Sequence, residues 1–303
     1  MISVLFCSRV KDNVDSQIKR LLDSAETHIA PTERTNIEFL IKYDDDDDAR
    51  PNDSFFAAYP FSIRTFVWSR GEGRHYLHHA QEYLFAQRNP RSRFCLMVAD
   101  DFYFTRSGFV SEILSIRDEF CILGDKRPHI ESFAGNYEHD DVIRRWVVAF
   151  GDLAPVITTR LIEVCQNFGW QSNVDSWLMG LSIALYDLYR VIIWRSITAF
   201  YERGGGLGLG NTPTYNNMEL TNVRGPMNPY WFELVRRQAR NLYLNMEHGT
   251  SLNLLSPLPR RLWNKVCAQP LRHLPMRVCR RITKELYHML GQRGVAKYSR
   301  GYR

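Results

Sequence analysis

Apolar runs of strand length recur along the first part of the chain, at Ile2 to Cys7, Ile37 to Tyr43 and Phe94 to Ala99, and Ile63 to Trp68 reads as a further strand. A short, continuous apolar run bounded by polar residues reads as a strand covered on both faces. Between these runs the period changes. Val14 to Thr27 repeats Ile18, Leu21, Leu22 and Ala25 on one helix face, a helix is predicted from about Arg74 to Gln87, and another from Gly108 to Ile116. Strands alternating with helices predict an α/β fold with a largely parallel sheet flanked by helices.

The middle of the chain is less regular. Trp146 to Phe150 reads as a strand, and Thr158 or Thr159 as the cap of a helix ending near Gly169. The longest apolar region, Trp177 to Trp194, is interrupted by Asp187 and Arg190 and followed by Arg195. Each charge near a bilayer centre costs roughly 2.5–3.5 kcal/mol, which disfavours a membrane span and predicts a buried helix. GGGLGLG, from Gly204 to Gly210, has neither the spacing nor the lysine of a phosphate loop and reads as a loop or hinge.

Two of the strands end in acids. FCLMVADD closes on Asp100 and Asp101, and IEFLIKY runs into five aspartates, Asp44 to Asp48. In an open α/β sheet ligands sit outside the carboxyl ends of the strands, where carboxylate oxygens suit a hard divalent cation. A solvated acidic turn is the competing reading. Only the first one or two residues of the aspartate run can stay near the sheet, because mutual repulsion and desolvation drive the rest into water. After the third strand, SRGEGRH supplies Arg70, Gly71, Gly73 and Arg74 at the predicted start of a helix, where N–H groups and guanidinium groups attract an anion. Acids for a metal beside a positive helix start suit a nucleotide diphosphate bound to a divalent cation, which is leaving-group chemistry.

Composition adds bounds. At 303 residues, 45% hydrophobic and 24% charged, the chain holds one large core or two modest ones and nothing marks it as disordered. The net charge of +6 is uneven: Pro257 to Arg303 carries twelve Lys and Arg against Glu285, a local +11 that leaves −5 for residues 1–256. Six cysteines, none in a CxxC pair, read as thiols of a reducing compartment, and MISVLFCSR enters a strand instead of a signal core. A cytoplasmic protein is expected.

In the order of these motifs the chain resembles the nucleotide-sugar glycosyltransferases of the GT-A fold, over about residues 2–195. ISVLFCSR looks like their first strand, IEFLIKYDD their second, RGEGRHYLHHA the loop and helix after the third, and VADD their degenerate DxD motif. The resemblance implies a GT-A (Rossmann-like) domain over 1–203, with a donor half to about residue 104 and an acceptor half over 105–203. A Gly-rich loop and helical segment (204–256) and a helical basic C-terminal extension (257–303) would follow. It implies a nucleotide-sugar site at Ser8, Arg9, Asp44, Asp45, Arg70, Gly73, Arg74 and Asp100, with nucleoside contact at Asp44 or Asp45. Mn2+ or Mg2+ would be held by Asp100 and Asp101. Val98 stands where many members carry the first aspartate of DxD, so the two acids are assigned together.

Transfer to a hydroxyl needs a base. Inverting members place an acid in the acceptor half, and Asp175 in NVDSW falls there in order; an N-terminal helix acid stabilised by the macrodipole is the competing reading. His75, His78 and His79 lack the glutamate of HExxH and a third ligand, and read as surface or packing residues. No Gly-x-Ser-x-Gly elbow occurs and no cysteine has an evident histidine partner, so serine and cysteine hydrolases are unsupported.

The expected function is transfer of a sugar from a nucleotide-diphosphate donor to a glycan or lipid-linked hydroxyl acceptor, with inversion and a divalent metal, in surface glycan or polysaccharide synthesis. The alternative is a non-catalytic nucleotide- or glycan-binding protein whose basic tail is the working surface. In that tail Arg260, Arg261, Lys265, Arg272, Arg277, Arg280, Arg281 and Lys284 interleave with apolar residues around Pro270 and Pro275. It suits peripheral contact with an anionic membrane at its inner face, or folding back on the acidic body, better than it suits nucleic acid.

Overall fold

The computed structural model describes residues 1–7, 14–45, 50–68, 76–98, 102–125, 156–165, 174–191, 193–203 and 229–248. In chain order these form β1 (Ile2–Cys7), α1 (Val14–His28), a short 3-10 helix (Pro31–Asn36), β2 (Ile37–Asp44), α2 (Asp53–Ala57), β3 (Ser62–Trp68), α3 (Tyr76–Ala86), β4 (Phe94–Val98) and β5 (Phe102–Phe104). There follow α4 (Phe109–Ser115), β6 (Ile122–Asp125), β7 (Val156–Thr158), α5 (Thr159–Cys165), α6 (Val174–Tyr189), β8 (Trp194–Ile197), β9 (Tyr201–Arg203) and α7 (Pro229–His248).

Among the described residues the main sheet has seven strands in the order β3-β2-β1-β4-β7-β6-β8. β1 pairs in parallel with β2 and β4, β2 with β3, and β6 with β8. β7 alone is reversed, antiparallel to both β4 and β6. β5 and β9 make a separate antiparallel pair. The fold is therefore α/β, with a mostly parallel sheet flanked by helices, as the alternation of periods predicts.

Near-continuous apolar strands result because both faces are covered. On one face Ile2, Val4 and Phe6 of β1 join Phe39, Ile41 and Tyr43 of β2 under the predicted stripe of α1, Ile18, Leu21, Leu22 and Ala25, all buried. On the other face Leu5, Leu40 and Met97 pack with Leu84 of α3, Leu161 of α5, Trp177, Leu181 and Leu185 of α6 and Leu242 of α7. Period-two alternation in the strands thus divides one apolar sequence between two cores.

Two readings change. The apolar region from Trp177 holds two elements: α6 ends at Tyr189, Arg190 takes a left-handed φ of 61° that closes the helix, and Trp194–Ile197 pairs with β6 as a strand. The cap threonines serve the sheet instead. Thr158 ends β7, where its hydroxyl accepts from Cys121 N at 3.0 Å, and Thr159 Oγ1 donates to Ser92 O at 2.9 Å. The helix drawn to Gly169 is described from Thr159 to Cys165. Among the described residues no helix is long and apolar enough to cross a membrane. The strand predicted at 146–150, the Gly204–Gly210 loop and the basic extension over 257–303 lie outside the described residues.

Candidate functional site

The chain leaves β1 toward β2 on one side, while β4 pairs on the other side of β1, so the strand order reverses between β1 and β4. A crevice opens at such a switch point, outside the carboxyl ends of the strands. Phe6 is level with both Ile41 and Val98, Cys7 with Lys42, and Asp44 with Trp68. The parallel strands β1 to β4 therefore end at one edge. Asp44 is the last residue of β2, and every other predicted donor-side residue follows one of these ends in the chain: Ser8 and Arg9 after β1, Asp45 after β2, Arg70, Gly73 and Arg74 after β3, Asp100 and Asp101 after β4. Of these only Asp45 is among the described residues; Ser8, Arg9, Arg70, Gly73, Arg74, Asp100 and Asp101 lie outside them.

The structure separates Asp44 from Asp45. Asp44 is fully buried and forms an ion pair with Lys42, itself 1% exposed. The two are two residues apart and so project to the same face of β2, the α3 side. Asp45 is exposed, and its N–H donates to Trp68 O at 3.1 Å, extending the β2–β3 ladder one residue past the strand. The Trp68 ring stacks on Tyr83 of α3 at 4.9 Å and 16°, and the Lys42 ammonium lies 5.8 Å from the same ring. Burial pushes the Cys7 thiol up to about 12, with Lys42 opposing and Asp44 reinforcing the shift.

Lys42, Trp68 and Tyr83 are site-edge residues that the motif reading passed over. The signal was present in IEFLIKYD, where one lysine interrupts an apolar strand two residues before an aspartate.

Asp175 is the second residue of α6, and its side chain lies outside the described residues. The segment it belongs to is anchored. Trp177, 1% exposed, donates through Nε1 to Gln238 Oε1 at 2.8 Å. Gln238 Nε2 donates to Cys165 O at 3.1 Å, and Asn241 Nδ2 to Val164 O at 2.7 Å. Side chains of α7 thereby cap the last carbonyls of α5 and hold the first turn of α6.

Among the described residues no three His, Cys, Asp or Glu side chains group as metal ligands. His78 and His79 fall in α3 with undescribed side chains, and His75 lies outside the described residues. Cys7, Cys95, Cys121 and Cys165 are free, and burial raises all four thiols, Cys121 to about 12. They are protonated at neutral pH, which suits inert core thiols and no nucleophile. A shallow groove of about 590 Å³ lies between α1 and β5, lined by Lys19, Arg20, Asp23 and Tyr103 among others; it includes none of the predicted site residues.

No family model matches the chain, and no curated protein matches it. Among solved structures, the 1–349 fragment of S. aureus TarS aligns with all of this chain and 93% of its own length, at 14% identity and a TM-score of 0.48. The fragment in complex with UDP-GlcNAc gives the same values, and its complex with UDP gives 15% and 0.46. A longer TarS structure aligns over 98% of this chain and 54% of its own, with a TM-score of 0.45. With these scores below 0.5, the fold class rests on strand order and register.

Proposed function

We propose that the chain is a glycosyltransferase that moves a sugar from a nucleoside-diphosphate donor to a hydroxyl acceptor. One observation carries the reading: the strand order reverses between β1 and β4, and the acidic segments that begin at Asp44 and Asp100 both continue from strand ends at that edge. Asp45 contacts the nucleoside, and Arg70 and Arg74, with the start of the helix that follows them, meet the diphosphate. Asp100 and Asp101 would hold Mn2+ or Mg2+, whose charge offsets that of the departing diphosphate.

In the proposed reaction the acceptor oxygen bonds to the anomeric carbon as the carbon–diphosphate bond breaks, and the bonding pair leaves with the nucleoside diphosphate. Asp175 takes the hydroxyl proton. A single displacement of this kind inverts the anomeric centre. The basic segment 257–303 is assigned to an anionic membrane surface at the inner face, which suits a lipid-linked acceptor in glycan synthesis.

A thermal-shift panel of nucleoside diphosphates and their sugars, with and without Mn2+, tests the reading. It includes UDP and UDP-GlcNAc, the ligands of the TarS complexes. A ligand at 100 times its Kd stabilises the folded chain by about 2.7 kcal/mol, a shift of several degrees. Release of free sugar from the stabilising donor, abolished by Asp100→Ala, is the expected result. Binding without turnover would leave a non-catalytic binding protein, and no binding to any member would reject the donor site.

A further inference from the structure

Among the described residues the main sheet ends on β8 at one side and on β3 at the other, and the two edges differ. β8 has four residues, and its Arg195 is ion-paired with Asp118. Shortness and charge are ways in which an edge strand avoids pairing with another chain. β3 has neither protection. It runs for seven residues in unbroken register with β2, from Glu38 opposite Ser62 to Asp44 opposite Trp68, and so carries no bulge. Its sequence, SIRTFVW, contains no proline and no lysine, and its one charge, Arg64, is turned to Glu38 Oε2 at 3.1 Å and to the Gln87 carbonyl.

One ladder bond fixes which way the β3 backbone faces. Asp45 N–H donates to Trp68 O, so the Trp68 carbonyl points at β2. Alternate residues of a strand in a parallel pair turn N–H and C=O to the same neighbour, so Ser62, Arg64 and Phe66 also face β2, while Ile63, Thr65 and Val67 turn theirs to the open edge. Among the described residues no strand pairs with that side. The side chains of these three share one face. Ile63 packs against the core, Thr65 is exposed and Val67 is 53% exposed, one of two large apolar side chains so placed among the described residues. α3 lies over β1 and β2 and reaches β3 through Tyr83, which meets Phe66 and Trp68 on the opposite face.

We propose that the β3 edge pairs with β3 of a second copy of this chain, antiparallel, about a two-fold axis at Thr65. The strand is self-complementary in that register: Thr65 stands opposite Thr65 of the other copy, Ile63 opposite Val67, and Arg64 opposite Phe66. The residues whose N–H and C=O groups face the edge are then the ones opposed, and each opposed pair exchanges both hydrogen bonds. Any other centre leaves Ile63 or Val67 without an opposite residue inside the strand. Thr–Thr pairs and opposed apolar side chains are favourable cross-strand neighbours, and Val67 is covered by Ile63. A two-fold contact of this kind closes at two copies, because each copy spends its own open edge. The contact runs along the side of the sheet and not across its carboxyl ends, so the inference does not depend on the donor-site reading.

Sedimentation velocity of the full chain, from about 1 to about 100 µM, tests the pairing. The expected result is a concentration-dependent species of twice the chain mass. Thr65→Lys changes an exposed side chain and sets like charges opposite each other across the axis, and it should raise the dimer Kd at least tenfold. A second arm reads the register. Under mild oxidation Thr65→Cys should give a disulfide-linked dimer beyond the wild-type background, since opposed Cα atoms lie about 5.5 Å apart. Ser62→Cys should not, because its two copies stand about 20 Å apart along the strands.

Should Thr65→Lys not fold, Val67→Lys, also at an exposed position of the edge, carries the same comparison. A wild-type chain that sediments as a monomer throughout, or as a trimer, overturns the proposal. So does a dimer whose Kd is unmoved by the folded lysine variant, because it must form elsewhere on the surface. A Thr65→Cys chain that crosslinks no more than wild type, or no more than Ser62→Cys, overturns the antiparallel register and the proposal with it.

Discussion

Two buried carboxylates lie on the same face of β2, one at each end, and each is matched by a cation. Glu38, at the amino end, accepts from Ser3 Oγ of β1 at 2.6 Å, from the Asn89 N–H beyond α3 at 2.7 Å and from Arg64 Nη2 of β3 at 3.1 Å. Its partners lie on three other segments, and the carboxylate joins them. Asp44, at the carboxyl end, is paired with a lysine of its own strand. A buried charge that gathers separate segments has a structural reason to exist. The Asp44–Lys42 pair stands at the edge where an α/β sheet binds ligands.

The largest expected effect breaks the local pair from one side. Lys42→Met leaves the Asp44 charge buried without its counter-ion, which costs about 3–5 kcal/mol. Urea unfolding with a constant m-value measures the loss. Adding Asp44→Leu should return most of it. The same procedure at the other end should not succeed: Glu38→Leu costs roughly 3 kcal/mol, and adding Arg64→Met does not restore it, because the buried Asn89 N–H still loses its acceptor while Ser3 keeps only Ser92 Oγ. Recovery of stability at Glu38 would remove the distinction between the two ends.

Next in size is a second polar group of the bridging kind. Gln238, fully buried, holds both the Trp177 indole and the Cys165 carbonyl, and thereby joins α7 to α6 and α5. Gln238→Leu removes the hydrogen bonds that Gln238 makes to a buried indole N–H and a carbonyl, at a cost of about 2 kcal/mol by chemical unfolding. Because Asp175 precedes Trp177 by one turn or less, the surviving folded fraction should also lose kcat more than donor affinity if Asp175 is the base.

The sheet was legible in the sequence because its strands are covered on both faces and so appear as unbroken apolar runs; Ile2 to Cys7, Ile37 to Tyr43 and Phe94 to Ala99 fall on β1, β2 and β4. The short pieces were not. β7 has three residues, Val156–Thr158, too few to show a period, and its reversal depends on pairing with β4 and β6, which no local pattern encodes. Trp194–Ile197 was hidden in the apolar tail of α6, since a buried strand and a buried helix share the same composition.

At the site, acids at strand ends were readable because chain order places them at the edge. The division of labour between Asp44 and Asp45 was not, since it turns on which side of β2 Lys42 projects and on the ladder bond from Asp45 to Trp68.

A third acid gives a smaller, pH-dependent effect. Burial pushes the Glu82 carboxyl, on α3, up to about 7 from an ordinary value of 4.5. The folded chain then binds this proton more tightly than the unfolded chain, so the contribution is full below pH 4.5 and falls as pH rises toward 7. The loss across that window is on the order of 1–2 kcal/mol for a group that keeps some solvent contact. Glu82→Gln should flatten the stability–pH curve between pH 5 and 7 while leaving the Glu38 and Lys42 comparisons unchanged. An unaltered slope would show that the Glu82 environment is wetter than its burial implies.

The smallest effect on stability falls on the residue with the largest proposed effect on binding. Asp45 is exposed, and its ladder bond to Trp68 uses the backbone N–H, which any non-proline residue supplies. Asp45→Asn should therefore change unfolding free energy by less than about 0.5 kcal/mol. If Asp45 meets the nucleoside, the same variant raises the Kd for the diphosphate at least tenfold, the loss of one charge-assisted hydrogen bond or more.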